Sequence, residues 1–140
     1  MADFTWSYSA LKQYENCPRQ YNEIRVLKNY VVKENEAMRY GTEVHKALED
    51  YVAEGKPLAK NYQRFKSMVD PLVDIPGIKY PEHEMALTYD KLPCDFGSEH
   101  RWVRGIADLL IVDGDYAFIV DYKTGSNKYP DPKQLRLMAL

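Results

Sequence analysis

Two aspartates embedded in apolar runs, with a lysine two residues after the second, are the side chains whose types and spacing suit chemistry. They are Asp108 in Ile106-Ala107-Asp108-Leu109-Leu110-Ile111, Asp121 in Phe118-Ile119-Val120-Asp121, and Lys123. Asp113-Gly114 between these β-rich runs is a strong hairpin signal, and it permits a geometric test. If Asp113-Gly114 forms a two-residue turn, Val112 pairs with Asp115, and Asp108 lies opposite Ile119, diagonal to Asp121. If Gly114-Asp115 forms the turn, Asp108 lies directly opposite Asp121. Either register puts both acids on one face, and Lys123 joins them because side chains two apart share a face. Only an odd-length loop separates them.

The neighbours on that face are Ile106, Leu110, Ala117 and Ile119. Two carboxylates held together there raise at least one pKa and cost stability unless a cation stands between them. A divalent metal resolves the conflict. Oxygen ligands favour Mg2+ or Mn2+, and Lys123 can reach a reacting phosphate or orient an attacking water. The plainer alternative is a pair of solvated strand residues with Lys123 as a salt-bridge partner. Against it, Asp is depleted in strands and both acids sit inside apolar runs.

The elements that must position these residues divide into a helical first half and a strand-rich second half, which suggests an α/β or α+β domain. Ser7 or Ser9 caps a short helix carrying Leu11 and Tyr14, and Cys17-Pro18 ends it and opens a second helix with Tyr21, Ile24 and Leu27. From about Asn35 to Glu54, apolar residues recur at helical spacing and Gly55 follows as a stop. Pro57 opens another helical stretch carrying Leu58, Tyr62, Phe65, Val69 and Leu72, and the prolines at 71, 76 and 81 with Gly77 predict a loop. Beyond Pro81 the spacing predicts strands over 84–89 and 101–112, a loop over 91–100 between them, and then the hairpin. Asp131-Pro132-Lys133-Gln134 reads as a helix start, with Asp131 at the cap and Gln134 as its capping-box partner.

Composition narrows the function classes. The 140 residues are 45% hydrophobic and 29% charged, enough for a core without disulfides or a structural metal, so Cys17 and Cys94 are expected as free thiols. A net charge of −2 argues against a polybasic binder that works by charge alone, though a local basic groove stays open. No apolar run approaches membrane-spanning length, and the start lacks a basic segment followed by an apolar one, so no membrane association and a cytoplasmic location are expected.

Gly105-Ile106-Ala107-Asp108 followed by Asp121-Tyr122-Lys123-Thr124-Gly125 resembles motifs II and III of the PD-(D/E)XK nucleases, in their RecB-like exonuclease branch. The run from Ser7 to Tyr21 is similar to the N-terminal signature of that branch, and Gly41-Thr42-Glu43-Val44-His45 resembles its helix with a metal-binding histidine. Gln134-Leu135 resembles the start of its Gln-Leu-x-x-Tyr helix. The resemblance implies one nuclease domain over residues 1–140, with a restriction-endonuclease-like α/β core, a mixed β-sheet flanked by helices and a helical N-terminal half. It also implies His45, Asp108 and Asp121 as side-chain metal ligands, the Tyr122 carbonyl as a further ligand, and Lys123 as the catalytic lysine. By itself, His45 reads as the edge of an amphipathic helix.

Glu84 is a candidate additional acid, since some relatives hold metal or water with an acid before motif II. Gln134, Arg104, Arg136 and Lys128 are candidate DNA contacts, with Arg101 and Lys133 also available for phosphates and Tyr122 or Tyr129 as stacking surfaces. The function implied is Mg2+- or Mn2+-dependent hydrolysis of DNA in repair, recombination or phage DNA processing. Two departures qualify it. Met138 stands where the family has its tyrosine, and family members usually continue with further strands where this sequence stops at Leu140. A fragment, a naturally short phage-type version, and a subunit completed by a second copy or another chain all remain open. Some relatives hold an iron–sulfur cluster through one N-terminal and three C-terminal cysteines; only Cys17 matches, so no cluster is expected. The competing function is a non-catalytic DNA-binding or accessory subunit that keeps the nuclease scaffold.

Overall fold

The longest helix forms where the sequence supplies both of its ends. In the computed structural model, which describes residues 4–125 and 131–140, this helix spans Glu36–Glu54. Asn35 caps it by accepting a hydrogen bond from the Met38 amide at 2.9 Å, and Gly55 ends it in the left-handed conformation at φ 71°. The other helices are α1 (Tyr8–Asn16), α2 (Pro18–Tyr21), α4 (Lys66–Asp74) and α5 (Lys133–Met138), the long one being α3. A π-helical stretch, Asn22–Val26, extends α2, and a 3₁₀ segment, Lys60–Phe65, leads into α4.

The strands are β1 (Ile78–Thr88), β2 (Arg101–Asp113) and β3 (Tyr116–Val120), hydrogen-bonded in the order β1-β2-β3 as an antiparallel sheet. A parallel bridge from Trp6 to Val103 adds the opposite sense of pairing. Helices with such a sheet give the α/β mixture expected of a restriction-endonuclease-like fold. Several element boundaries differ from the sequence reading, among them the helical stretch expected to open at Pro57, which begins only at Lys60. The predicted loop over the prolines is occupied by the end of α4, with Pro71 inside it, and by β1, which begins at Ile78 rather than Glu84. The hairpin turn is Gly114-Asp115, because Asp113 pairs with Tyr116.

The chain divides into two compact units, one of Met1–Glu34 with Glu84–Ile106 and one of Asn35–His83 with Ala107–Leu140. In the first, Ser7 caps α1 through the Ala10 amide, and Trp6 exchanges backbone hydrogen bonds with Trp102 and Arg104 at 3.1 and 3.0 Å. The Trp6 and Tyr89 rings both meet Trp102 edge-on at 5.4 Å. In the second, Val44, Leu48 and Val52 on one face of α3 pack with Leu58, Val69, Leu109, Ile111 and Tyr122 to form the core. Full burial of a side chain such as Leu48, Leu109 or Ile111 contributes about 1.5–3 kcal/mol. Gly77 closes this unit tightly: at φ 109°, a Cβ there would lie 2.2 Å from the Val112 carbonyl oxygen.

Candidate active site

β2 and β3 bring the two acids together. Their last pair at this end is Leu109 with Val120, and one further step in the same register sets Asp108 opposite Asp121. Alternation then decides the faces. Ala107, Leu109 and Ile111 point into the core, so Asp108 and Leu110 take the other, half-buried face. The expected apolar surround is thus milder than the sequence suggested, since Ala117 is exposed and Leu110 and Ile119 are half-buried. The carboxylates themselves are still withdrawn from water, with side chains 15% exposed for Asp108 and 8% for Asp121.

Each acid has defined partners. Asp108 Oδ2 accepts from the Tyr122 backbone N–H at 2.6 Å, a short charge-assisted bond that ties the β2 acid to the strand end carrying Asp121 and Lys123. Asp108 Oδ1 lies 3.5 Å from His45 Nδ1, so α3 delivers the histidine to the acid by the same face rotation that buries Val44 and Leu48. Desolvation pushes the Asp108 carboxyl above the usual carboxylate range, against the lowering effect of the Tyr122 N–H and His45; Asp121 adds to the rise. Asp121 pairs with Lys123, whose side chain is 62% exposed, and Lys123 Nζ also donates to Gln134 Oε1 on α5 at 3.1 Å.

Tyr122 is 3% exposed and lies in the core, its ring meeting His45 edge-on at 5.9 Å. A base cannot stack on it, which corrects the expectation that it offers a stacking surface. Burial pushes its hydroxyl up to about 12, with Asp108 and Glu49 adding to the rise, and its oxygen has no hydrogen-bond partner among the described residues. Glu82 and Glu49 were not singled out from the sequence. Desolvation and then the charges of Asp108 and Glu49 raise the Glu82 carboxyl; Glu84, the expected extra acid, follows two residues later on β1, and both residues are exposed. The signal was present as Glu82-His83-Glu84, but two acids two apart share a face, and sequence alone does not choose between them. Glu82 adopts φ 47°, a left-handed conformation inside β1.

The candidate DNA contacts divide. Arg136 is exposed in the last turn of α5, and Lys133 is exposed at its start. Arg104 belongs to the first unit, where it lies over the Phe96 ring at 5.1 Å. Arg101 Nη1 is committed to its own loop, donating to the Gly97 and Ser98 carbonyls at 2.9 and 2.6 Å. Lys128 and Tyr129 lie outside the described residues. Gln134 does not act as the predicted capping-box partner. Asp131 accepts from the Lys133 amide at 3.1 Å, while the Gln134 carbonyl is taken by Lys123.

One imidazole and two carboxylates form a donor set suited to Mg2+ or Mn2+. The raised Asp108 carboxyl comes first from desolvation, with the Asp121 charge a smaller addition, and a bound cation would offset both. As placed, His45 faces Asp108 and Lys123 faces Asp121, and among the described residues no three His, Cys, Asp or Glu side chains converge as a ready-made metal cage. Also among the described residues, no helix is long and apolar enough to cross a membrane.

Comparison with known proteins gave one family match. Residues 5–88, more than half the chain, match the family model described as the PD-(D/E)XK nuclease superfamily. The match includes α3 with His45 and all of β1; Asp108, Asp121 and Lys123 lie beyond its end. Neither a curated protein nor a solved structure matched. On the extent of the family match, the chain belongs to the PD-(D/E)XK nuclease superfamily.

Proposed function

We propose that the chain is a divalent-metal-dependent DNA nuclease of the RecB-like exonuclease branch, acting as one catalytic domain in repair, recombination or phage DNA processing. The observation that carries this reading is the hydrogen bond from the Tyr122 N–H to Asp108, which ties Asp108 to the strand end carrying Asp121, with His45 beside Asp108 and Lys123 paired with Asp121. His45, Asp108, Asp121 and the Tyr122 carbonyl are the groups that would hold Mg2+ or Mn2+, with Glu84 as the candidate additional acid and Glu82, whose carboxyl feels the Asp108 charge, as a second candidate on the same strand. When bound, the cation supplies a water of lowered pKa and offsets the charge of the scissile phosphate.

The chain's own residues do the rest. The Tyr122 N–H fixes the rotamer of Asp108, and Asp108 in turn orients the His45 ring. The Lys123 ammonium, exposed beyond the buried Asp121, stabilises negative charge developing on the phosphate. Arg136 and Lys133 on α5 are exposed and can take backbone phosphates of the bound strand. A second reading, a DNA-binding accessory subunit without catalysis, is favoured by the absence of three converged donors among the described residues.

Cleavage of end-labelled linear DNA and of a covalently closed circle in Mn2+, by wild type and Lys123→Met, separates the readings. Release of end nucleotides from the linear substrate, an intact circle and an inactive Lys123→Met support the exonuclease. Binding of linear DNA without cleavage supports the accessory subunit. Cutting of the circle replaces exonuclease with endonuclease.

A further inference from the structure

The Lys123 side chain reaches α5, and that contact belongs neither to the acid pair nor to the helix cap. We infer that Gln134 is a positioning residue for Lys123, and not primarily a contact to DNA; the inference rests on the nuclease reading above. An ammonium has three N–H donors and no acceptor, so it can meet Gln134 only through Oε1, which is the atom 3.1 Å away. Among the described residues, two of the three donors are committed, one to Asp121 and one to Gln134. The third is left for a phosphate oxygen, on a side chain that is otherwise exposed.

The two acceptors are not equivalent. The Asp121 carboxylate also belongs to the proposed metal ligands, and lone pairs given to a cation are not available to hold a lysine. The Gln134 carbonyl has no such second duty. It is also neutral, so it fixes the ammonium without cancelling the charge that Lys123 brings to the phosphate. The helix that carries it packs against β3, and Asp131 holds the Lys133 amide just ahead of it. A long, exposed lysine otherwise samples many rotamers, and an acceptor on a helix packed against the sheet removes much of that freedom.

The test uses the full chain with Gln134→Met, which keeps length and removes the acceptor, Gln134→Glu, which keeps an acceptor, and Lys123→Met. Side-chain 15N and 13C relaxation of the lysine ammonium groups, with Lys123 assigned by its loss in Lys123→Met, is read without metal or DNA. Positioning predicts that the Lys123 signal becomes more mobile in Gln134→Met and stays ordered in Gln134→Glu. Unchanged Lys123 mobility in Gln134→Met overturns it, whatever the protein does to DNA.

The second arm is Mn2+-dependent cleavage of linear DNA. Gln134→Met is expected to lower kcat about tenfold with KM within about twofold, and to cost nothing further in a Lys123→Met background. A rise in KM with kcat unchanged, or a loss that persists in the Lys123→Met background, makes Gln134 a DNA contact and overturns positioning. A wild type that leaves DNA intact in Mn2+ refutes the nuclease reading instead, and the relaxation arm still decides whether Gln134 orders Lys123.

Discussion

Replacing Asp108 by Asn should stabilise the protein at neutral pH, although it removes a side chain of the site. Asn keeps an oxygen for the Tyr122 N–H, so the 2.6 Å bond survives as a neutral one while the desolvated charge is gone. Trading a charge-assisted bond for a neutral one costs about 1 kcal/mol. Burying a polar group costs about 1–3 kcal/mol by mutational measure, and desolvation is the largest influence on this carboxyl, outweighing its hydrogen bond and His45. The net expectation is a gain of about 1 kcal/mol, or roughly 3–5 °C in Tm for a chain of 140 residues.

The sign with pH follows from the raised carboxyl. Its stabilising, protonated form is fully present at low pH, and the wild type loses that contribution as pH rises through the folded-state value. The Asn variant does not titrate there, so its advantage grows with pH and vanishes once the acid is protonated in both states. Thermal melts in a chelating buffer from pH 4 to 8 measure this, with Asp108→Ala as control. Ala leaves the Tyr122 N–H without an acceptor and should melt several degrees below Asn, at a cost of about 1–3 kcal/mol. An Asn variant that melts below wild type at pH 8, or an advantage that is independent of pH, refutes the reasoning.

Three further outcomes are expected. Leu48→Ala, at a fully buried position on α3, should cost about 2–5 kcal/mol in urea unfolding without changing the m-value. Gly77→Ala adds a Cβ 2.2 Å from the Val112 carbonyl at φ 109° and should cost about 2 kcal/mol or more, read as lost soluble expression or a lowered melt. Asn35→Ala removes the acceptor for the Met38 amide and should cost about 1 kcal/mol, whereas Asn35→Asp should keep most of it.

The parts of the fold legible in the sequence are those fixed by local chemistry. Asn35 and Gly55 bound α3 because a side-chain acceptor and a residue free to adopt positive φ are needed at those two ends. The shared face of Asp108 and Asp121 was legible because both two-residue turns preserve parity; the choice of Gly114-Asp115 was not, and Gly114 takes it at φ 58°. The start of β1 was missed because Pro81 reads as a breaker, yet β1 lies at the edge of the sheet, where a missing N–H need not break a ladder. Pro71 likewise reads as a stop but lies only six residues into α4, and Val69 and Leu72 continue the apolar face around it.

Within the site, residue types pointed to the acids and the lysine, while tertiary placement decided the rest. Tyr122 looked available for stacking, but it follows Val120 at strand spacing, and both join the core against α3. The left-handed conformation of Glu82 inside β1 is announced by no side-chain pattern. The contact of Gln134 with Lys123 joins residues on two elements and could not be read from either alone.

The most direct test of the central claim is a calorimetric Mn2+ titration of wild type, Asp108→Ala and Asp121→Ala, followed by cleavage of linear DNA by the same three samples. Metal binding and cleavage that are both present in the wild type and both lost in each variant are the predicted result. Cleavage that survives loss of either aspartate, or a wild type that takes up no Mn2+, contradicts a metal-dependent centre built on Asp108 and Asp121.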